Sequence, residues 1–347
     1  MKRIGDKFKS RNNSAFVILA ACAVVFMFIA TLFSVFIYGQ RMTEAANLLD
    51  ESEYSEYDSY VIMISSDDSA DFWKQVYKSA YTYGQQNGVY VDLISDNTNL
   101  DYSKQDLIKM AVESRPDCIF LEGDDSPETI SLMSEARNAG ITVIALQTDV
   151  ATDARVSYIS ANNYTMATLY AQALLSVLND GDQVMFIQGP EVNAADAAAL
   201  IANVQEQVVA ADLNVQPTFE LRAVDSKDAF ATEEYVQNLF KENDLGQVII
   251  CLDELSTTRV YQSMIDYNKV GTIKLLGYYQ SDTILTGIKQ RVIESTVTVD
   301  ATNIGVSAVN AYMEYRDTGY VSDYISVEPS IINADNVNEY IRGDGNE

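Results

Sequence analysis

Histidine is absent from all 347 residues. With it go the commonest general base, the usual zinc ligand and the Ser-His-Asp and Cys-His arrangements of nucleophilic catalysis. Cysteine is scarce. The three residues, Cys22, Cys118 and Cys251, have no spacing that suits a metal site or a disulfide framework. Cys118 and Cys251 each sit inside a short apolar run and read as buried strand thiols. Cations are few, 23 Lys and Arg against 50 Asp and Glu, and the formal net charge is −27. Nucleic acid and anionic lipid surfaces repel such a body, which excludes nucleic-acid binding. P-loop, nucleophile-elbow and metal motifs are also missing. Asp96-Asn-Thr-Asn99 lacks the turn glycine and closing Glu of a calcium loop. The expectation is a chain that is not an enzyme and holds no metal or cofactor.

What is present first is one long apolar run. Residues 15–38 carry no charged side chain. As a helix they extend about 36 Å, enough to cross a hydrocarbon core of about 30 Å with some tilt. Lys2, Arg3, Lys7, Lys9 and Arg11 precede the run, and Glu44, Asp50, Glu51, Glu53, Glu56 and Asp58 follow it. The positive-inside rule then puts a basic tail, 1–14, in the cytoplasm and everything beyond a 15–38 transmembrane anchor outside, starting with an acidic tether at 39–58. A second reading is open: Leu19-Ala-Ala-Cys22 has the look of a lipoprotein cleavage box. Cleavage there leaves the apolar stretch 23–38 where a polar tether is usual, so the uncleaved anchor is favoured.

From Tyr60 onward, short apolar runs alternate with amphipathic stretches. Strands are expected at 61–65, 89–94, 117–121, 141–146, 156–160, 183–188, 215–222, 247–252, 273–279 and 294–299. Helices are expected between them, for example at 70–86, 101–113, 127–138, 165–178, 194–211, 229–242, 256–267 and 304–316. Phe72, Val76, Ala80 and Tyr83 fall at the three- and four-residue spacing of a helix face. Pro127 at a first turn and Gly140 just past an end mark boundaries. Beyond 316 an irregular tail holds one final strand near 324–327. The alternation implies parallel sheets with helices on both faces, and too many strands for one small sheet. Two doubly wound lobes fit better, with any ligand at the carboxyl ends of the strands.

Several stretches in this order resemble the periplasmic sugar-binding proteins of the ribose-binding, LacI-like type. They are Asp71-Phe72-Trp73, Asn138-Ala-Gly-Ile-Thr-Val-Ile-Ala-Leu146, Ser157-Tyr-Ile-Ser-Ala-Asn-Asn163, Ile187-Gln-Gly189, Ile249-Ile-Cys-Leu-Asp-Glu254 and Leu275-Leu-Gly-Tyr-Tyr279. The resemblance implies an N-terminal lobe of 59–162 plus 300–327. It implies a C-terminal lobe and tail of 163–299 plus 328–347. A three-strand hinge would cross near Asn162, Asp300 and residue 328, with the ligand between the lobes.

Carried over position by position, the resemblance points to Phe72, Trp73, Gln147, Thr148, Asp149, Asp196, Asp253, Tyr279 and Asp300 as ligand-binding residues. The pocket departs from the family at most of them. Gln147-Thr148 stands where an Asp-Arg pair is usual, Asn193-Ala-Ala-Asp196 where an Arg opens a helix, Leu252 in place of an Asn and Tyr279 in place of an Asp. Losing about three hydrogen bonds to charged groups removes roughly 5–9 kcal/mol, while a micromolar complex has only about 8 kcal/mol to lose. An atypical or weakly bound ligand is therefore expected.

Bland roles compete at each position. Phe72 can pack in the core while Trp73, the only tryptophan and the more exposed of the two, stacks on a ligand. Asp253 and Glu254 can cap a helix. Asp149 can sit in the polar turn before Arg155, and Asp67-Asp68 and Asp124-Asp125 can be solvated caps. Two functions share the resulting clamshell. One is a binding protein serving an ABC permease. The other is a sensory protein reporting its ligand to a membrane histidine kinase.

Overall fold

In the computed structural model the described residues are Met27, 57–65, 70–97, 102–124, 126–150, 152–190, 192–211, 216–224 and 230–341. The 1–14 tail, the 15–38 anchor save Met27, Cys22, most of the 39–58 tether and Asp67-Asp68 lie outside them. Among the described residues no helix is long and apolar enough to cross a membrane.

The chain runs β1 (Ser59–Ile64), α1 (Asp71–Gln86), β2 (Val89–Leu93), α2 (Lys104–Ser114), β3 (Cys118–Leu121), α3 (Pro127–Asn138), β4 (Thr142–Leu146), β5 (Ser157–Ala161) and α4 (Asn163–Leu175). It continues β6 (Gln183–Gln188), α5 (Ala194–Ala210), β7 (Thr218–Ala223), α6 (Ala231–Glu242), β8 (Val248–Cys251), α7 (Glu254–Asp266), β9 (Lys274–Tyr278) and α8 (Asp282–Lys289). Last come β10 (Ser295–Val299), α9 (Ala301–Thr318), β11 (Tyr324–Val327), β12 (Pro329–Asn333) and α10 (Val337–Ile341).

Two six-stranded sheets result, ordered β11-β5-β4-β3-β1-β2 and β12-β10-β9-β8-β6-β7. The first is parallel throughout. The second is parallel except for β12, which runs antiparallel to β10 and pairs Val297 with Ile331. This strand and α10 lie in the tail that the sequence suggested was irregular.

Parallel strands covered on both faces must be apolar at consecutive positions, and β1 and β3 are. Val61 and Met63 sit with Cys118 and Phe120 in one core, and Ile62 and Ile64 with Ile119 and Leu121 in another. α1 and α9 cover the first of these faces, α2 and α3 the second. In the other sheet α4 and α5 cover the Val184 and Phe186 face, and α6, α7 and α8 the Met185 and Ile187 face. The core under α1 and α9 is continuous with the core under α4 and α5.

Helix starts follow local chemistry. α2 begins at 104, three residues later than the periodicity suggests, because Ser103 accepts the Asp106 N–H. Ser126 caps α3, whose first residue is Pro127. The two expected hinge residues are also caps. Asn162 accepts the N–H groups of Tyr164 and Thr165 at the start of α4, and Asp300 accepts that of Asn303 at the start of α9. The chain leaves the first sheet after β5, returns to it after β10, and passes from β11 to β12 across Glu328.

α1 and α9 meet at Gly305. A Cβ there would lie 2.1 Å from Ser79 Oγ and 2.4 Å from the Val76 carbonyl oxygen, so only a hydrogen lets the two backbones approach. Gly305→Ala should lower stability by about 1–3 kcal/mol despite alanine's better helix propensity. Denaturant unfolding of the variant checks this, and an unchanged midpoint would disprove the close contact.

Candidate functional site: a cavity between the lobes

The carboxyl ends of β3, β4, β6, β8 and β9 all deliver residues to one cavity of about 440 Å³. Glu122 follows β3, Gln147 and Thr148 follow β4, Gly189 and Pro190 follow β6, Leu252 to Leu255 follow β8, and Tyr278 ends β9. Helix starts complete the wall, with Phe72 and Trp73 from α1 and Asn193, Asp196 and Ala197 from α5. Tyr158, Ser160, Val299 and Tyr324 contribute from the crossing segments. The walls therefore come from both sheets.

Of the residues expected at the ligand, Phe72, Trp73, Gln147, Thr148, Asp196 and Asp253 line this cavity. Phe72 and Trp73 are equally buried at 7% exposure, so the expected difference between them is corrected. Their rings meet edge to face at 5.1 Å.

Asp149, Tyr279 and Asp300 do not belong to the lining. The Asp149 carboxylate is held by the Arg155 guanidinium, with Nη2 donating to Oδ2 at 2.8 Å, and it also accepts the Val150 N–H. Arg155 binds Asp323 as well, so the pair fastens the turn after β4 to the start of β11. Asp300 is occupied as the cap of α9.

Tyr279 is displaced by its backbone. Its φ is +73°, a left-handed conformation, and its ring lies buried edge to face with Phe72 at 5.3 Å. The neighbouring Tyr278 faces the cavity instead, and sequence reasoning missed it. Tyr158, Tyr170, Tyr324 and Glu122 were missed too. Glu122 and Tyr278 stand at carboxyl ends of strands and Tyr170 in the helix after β5, so topology was the available signal for these three, whereas Tyr158 and Tyr324 stand near the starts of β5 and β11, where it gives none.

Gln147 is the second residue of this edge with a left-handed backbone, at φ +61°. Its carbonyl accepts the Tyr158 hydroxyl at 2.8 Å and its side-chain amide donates to the Tyr278 hydroxyl at 3.1 Å. The latter bond joins the first lobe to the second. Non-glycine residues hold this conformation at a cost of about 1–3 kcal/mol and cluster at functional sites. Here both sit where one lobe touches the other.

Asp253 spends its carboxylate locally. It accepts the Ser256 N–H and hydroxyl and the Gly189 N–H, each at 2.8 Å. It caps α7 and ties the end of β6 to the end of β8. A Cβ on residue 189 would fall 2.6 Å from Asp253 Oδ2, so glycine is what admits the carboxylate. Burial pushes the Asp253 pKa up, against these donors, which pull it down.

Burial also raises the Tyr278 hydroxyl to about 12, opposed by the Gln147 hydrogen bond and reinforced by Asp253, Glu254 and Glu122. At Asp124, burial is the largest influence and acts upward. Hydrogen bonds from Lys104 and Ser126 and the Lys104 charge outweigh it and hold the carboxyl at about 2. Asp124 is thus an ion-pair partner of Lys104 as well as a turn residue.

This geometry defines a class, the two-lobed ligand-binding proteins whose site lies between parallel-sheet lobes. The chain matches the periplasmic binding protein domain over residues 60–319 and belongs to that family. No curated protein matches it by sequence.

Solved structures similar to it include GanP, a glucose-galactose binding protein from Geobacillus stearothermophilus. It is 18% identical, with a TM-score of 0.68 over 80% of this chain and 98% of that one. An ABC transporter solute-binding protein from Burkholderia graminis, in complex with D-arabinose, is 18% identical with a TM-score of 0.70 over 82% and 99%. The XylFII-LytSN complex gives 15% and 0.68 over 80% and 98%. At such identities the likeness is one of fold.

Two predictions test the edge. Asp253→Ala should cost about 2–3 kcal/mol, since it removes a cap and strands the Gly189 N–H, and Asp253→Asn should cost less. Unfolding followed at Trp73 measures both, and a cost of Asp253→Ala below about 0.5 kcal/mol would refute the tie. The Asp124 pKa is depressed on folding from 3.8 to about 2. Its contribution is therefore complete above the unfolded value and lost as pH falls toward about 2. Stability measured between those limits should lose part of its pH dependence in Lys104→Met. An unchanged profile would count against the pair.

Proposed function

We propose that this protein is an extracytoplasmic solute-binding protein that closes on a small carbohydrate or related polyol and passes it to an ABC-type importer. The observation that carries the reading is the cavity of about 440 Å³ at the carboxyl edges of both sheets. Its size suits a small molecule, and its mix of apolar walls with a few polar groups is the usual composition of such sites. Neighbours of the same fold are described as solute-binding proteins with bound D-arabinose, D-allose and tagatopyranose. A ligand touching both lobes favours the closed arrangement, and a partner can distinguish closed from open.

In this reading 59–162 plus 300–327 and 163–299 plus 328–347 move as two bodies. Asn162, Asp300 and residue 328 form the hinge. The charge-free run at 15–38 anchors the chain with its N-terminus in the cytoplasm and the binding lobes outside. Trp73 and Phe72 supply aromatic surface to the ligand, and Gln147, Thr148, Asp196 and Tyr278 supply polar atoms.

Binding without turnover is part of the proposal. The two thiols among the described residues, Cys118 and Cys251, are buried. Burial and the neighbouring Asp117 and Asp253 respectively push their pKa well up, the reverse of what a nucleophile needs.

A sensory role, in which ligand state is read by a membrane histidine kinase, is the second reading. The similarity to XylFII solved in complex with LytSN favours it, because there the same fold is engaged by a protein partner. Loss of labelled-solute uptake on gene deletion supports import. Loss of a transcriptional response with uptake intact supports sensing.

The binding claim itself is tested by thermal shift of the full-length protein in detergent against sugars, sugar alcohols, nucleosides and furanosyl compounds. A ligand at a hundred times its Kd should stabilise by about 2.7 kcal/mol. It should also change Trp73 emission. A panel of neutral, acidic and basic compounds that moves neither signal overturns the reading.

A further inference from the structure

Many polar side chains of the cavity wall are committed to the protein itself. Tyr158 donates its phenolic proton to the Gln147 carbonyl at 2.8 Å, Tyr170 to that of Gly277 at 3.1 Å and Tyr324 to that of Ser160 at 3.2 Å. The Tyr278 oxygen accepts from the Gln147 amide. Ser160 donates to the Ala161 carbonyl, Asn193 Oδ1 caps α5, and Asp253 holds Ser256 and Gly189. Glu122, Asp196 and Glu254 each have an interaction of their own within the chain. The four tyrosines, Ser160, Asn193 and these four acids all line the cavity.

What the tyrosines offer the cavity is therefore chiefly ring carbon, and Phe72 and Trp73 add theirs. The rings come from both sides. Tyr158 on β5 and Tyr324 on β11 belong to the first sheet, which α1 covers with Phe72 and Trp73. Tyr278 ends β9 of the second sheet, and Tyr170 lies on α4 against it. Tyr158 and Tyr324 are register partners with ring centroids 5.6 Å apart. A hydroxylated sugar gains little from groups already bonded elsewhere. A flat ring gains from this wall, since aromatic pairs attract beyond the area they bury.

We propose that the cavity takes a glycoside-like ligand, a flat aromatic ring joined to a small hydroxylated frame. The ring lies among the aromatic side chains, and the frame lies toward Thr148 and Asn163, which also line the space. A volume of about 440 Å³ falls within the roughly 300–1,000 Å³ of sites for molecules of this kind. An aryl glycoside and a nucleoside both have this chemistry. The inference rests on the cavity being the ligand site and adds to that reading a ring that a free sugar lacks.

The test is calorimetric titration of the full-length protein in detergent, a readout that aromatic ligands do not disturb. Phenyl β-D-glucopyranoside, phenyl β-D-galactopyranoside and phenyl β-D-xylopyranoside are each set beside the methyl glycoside of the same sugar. Adenosine and uridine are set beside methyl β-D-ribofuranoside. At least one aromatic member should bind about tenfold or more tightly than its methyl counterpart, and which series gains separates the two sources. Tyr324→Leu should reduce that preference severalfold, whereas Tyr324→Phe should keep it, because the hydroxyl serves the Ser160 carbonyl. Tyr158→Leu and Tyr158→Phe repeat the comparison should the first pair fold poorly.

Methyl glycosides that bind as tightly as every aromatic counterpart overturn the ring inference and leave the sugar-binding reading standing. A preference that falls as far in the Phe variants as in the Leu variants also overturns it, since the hydroxyl rather than the ring would then hold the ligand. Silence from the whole series removes the inference and the sugar reading together.

Discussion

A strand buried on both faces has no side left with which to meet a ligand. That constraint governs the whole molecule. Ile62 and Met63 point to opposite sides of β1 and each enters a closed core. The same holds for Ile187 and Phe186 on β6. What remains for chemistry is the rim where strands stop, and in a parallel sheet all the carboxyl ends lie along one rim. Two such rims set against each other make a cavity whose walls belong to loops and helix starts. Its residues are consequently caps, turns and first-turn side chains, drawn from distant parts of the chain.

The same economy explains why several acidic residues at the rim are structural. A helix beginning at a strand end needs acceptors for its free N–H groups. Asp253 and Asp300 both meet that need, and Asp253 also binds Gly189 across to the next strand. Asp149 is neutralised by an arginine six residues on. Negative charge is therefore abundant here for reasons of folding, and the cavity inherits part of it.

The fold was legible in the sequence because its signal is repeated. Each alternation of apolar run and amphipathic stretch reports the same unit, and an error at one helix start, such as 101 for 104, does not disturb the next. The antiparallel β12 escaped because Ser330, Ile331, Ile332 and Asn333 form a short run followed only by the five-residue α10, too short to show a helical period.

The site was legible only as a set of places. Strand ends could be located, but which of two adjacent tyrosines faces inward depends on one backbone angle. The left-handed turn at Tyr279 leaves no mark in composition, since glycine and asparagine are its usual bearers. The pairing of Asp149 with Arg155 was equally hidden, because both residues are ordinary for a polar turn until their forked contact is seen. Trp73 and Phe72 were placed correctly on helix one, while Phe72 packs on Tyr279 of the opposite lobe and Trp73 on Phe72.

The hydrogen bond from Gln147 to Tyr278 contains a further implication. A neutral bond of this kind contributes about 1 kcal/mol, a factor of roughly five in a population. That is comparable with the difference between a clamshell at rest mostly shut and one mostly ajar. Apparent affinity scales with the fraction already poised to receive. A single atom at the seam, the tyrosine oxygen, can thus weight the balance between the two arrangements of the lobes. Because Gln147 and Tyr278 both line the cavity, a change at this bond would alter the seam and the cavity wall together.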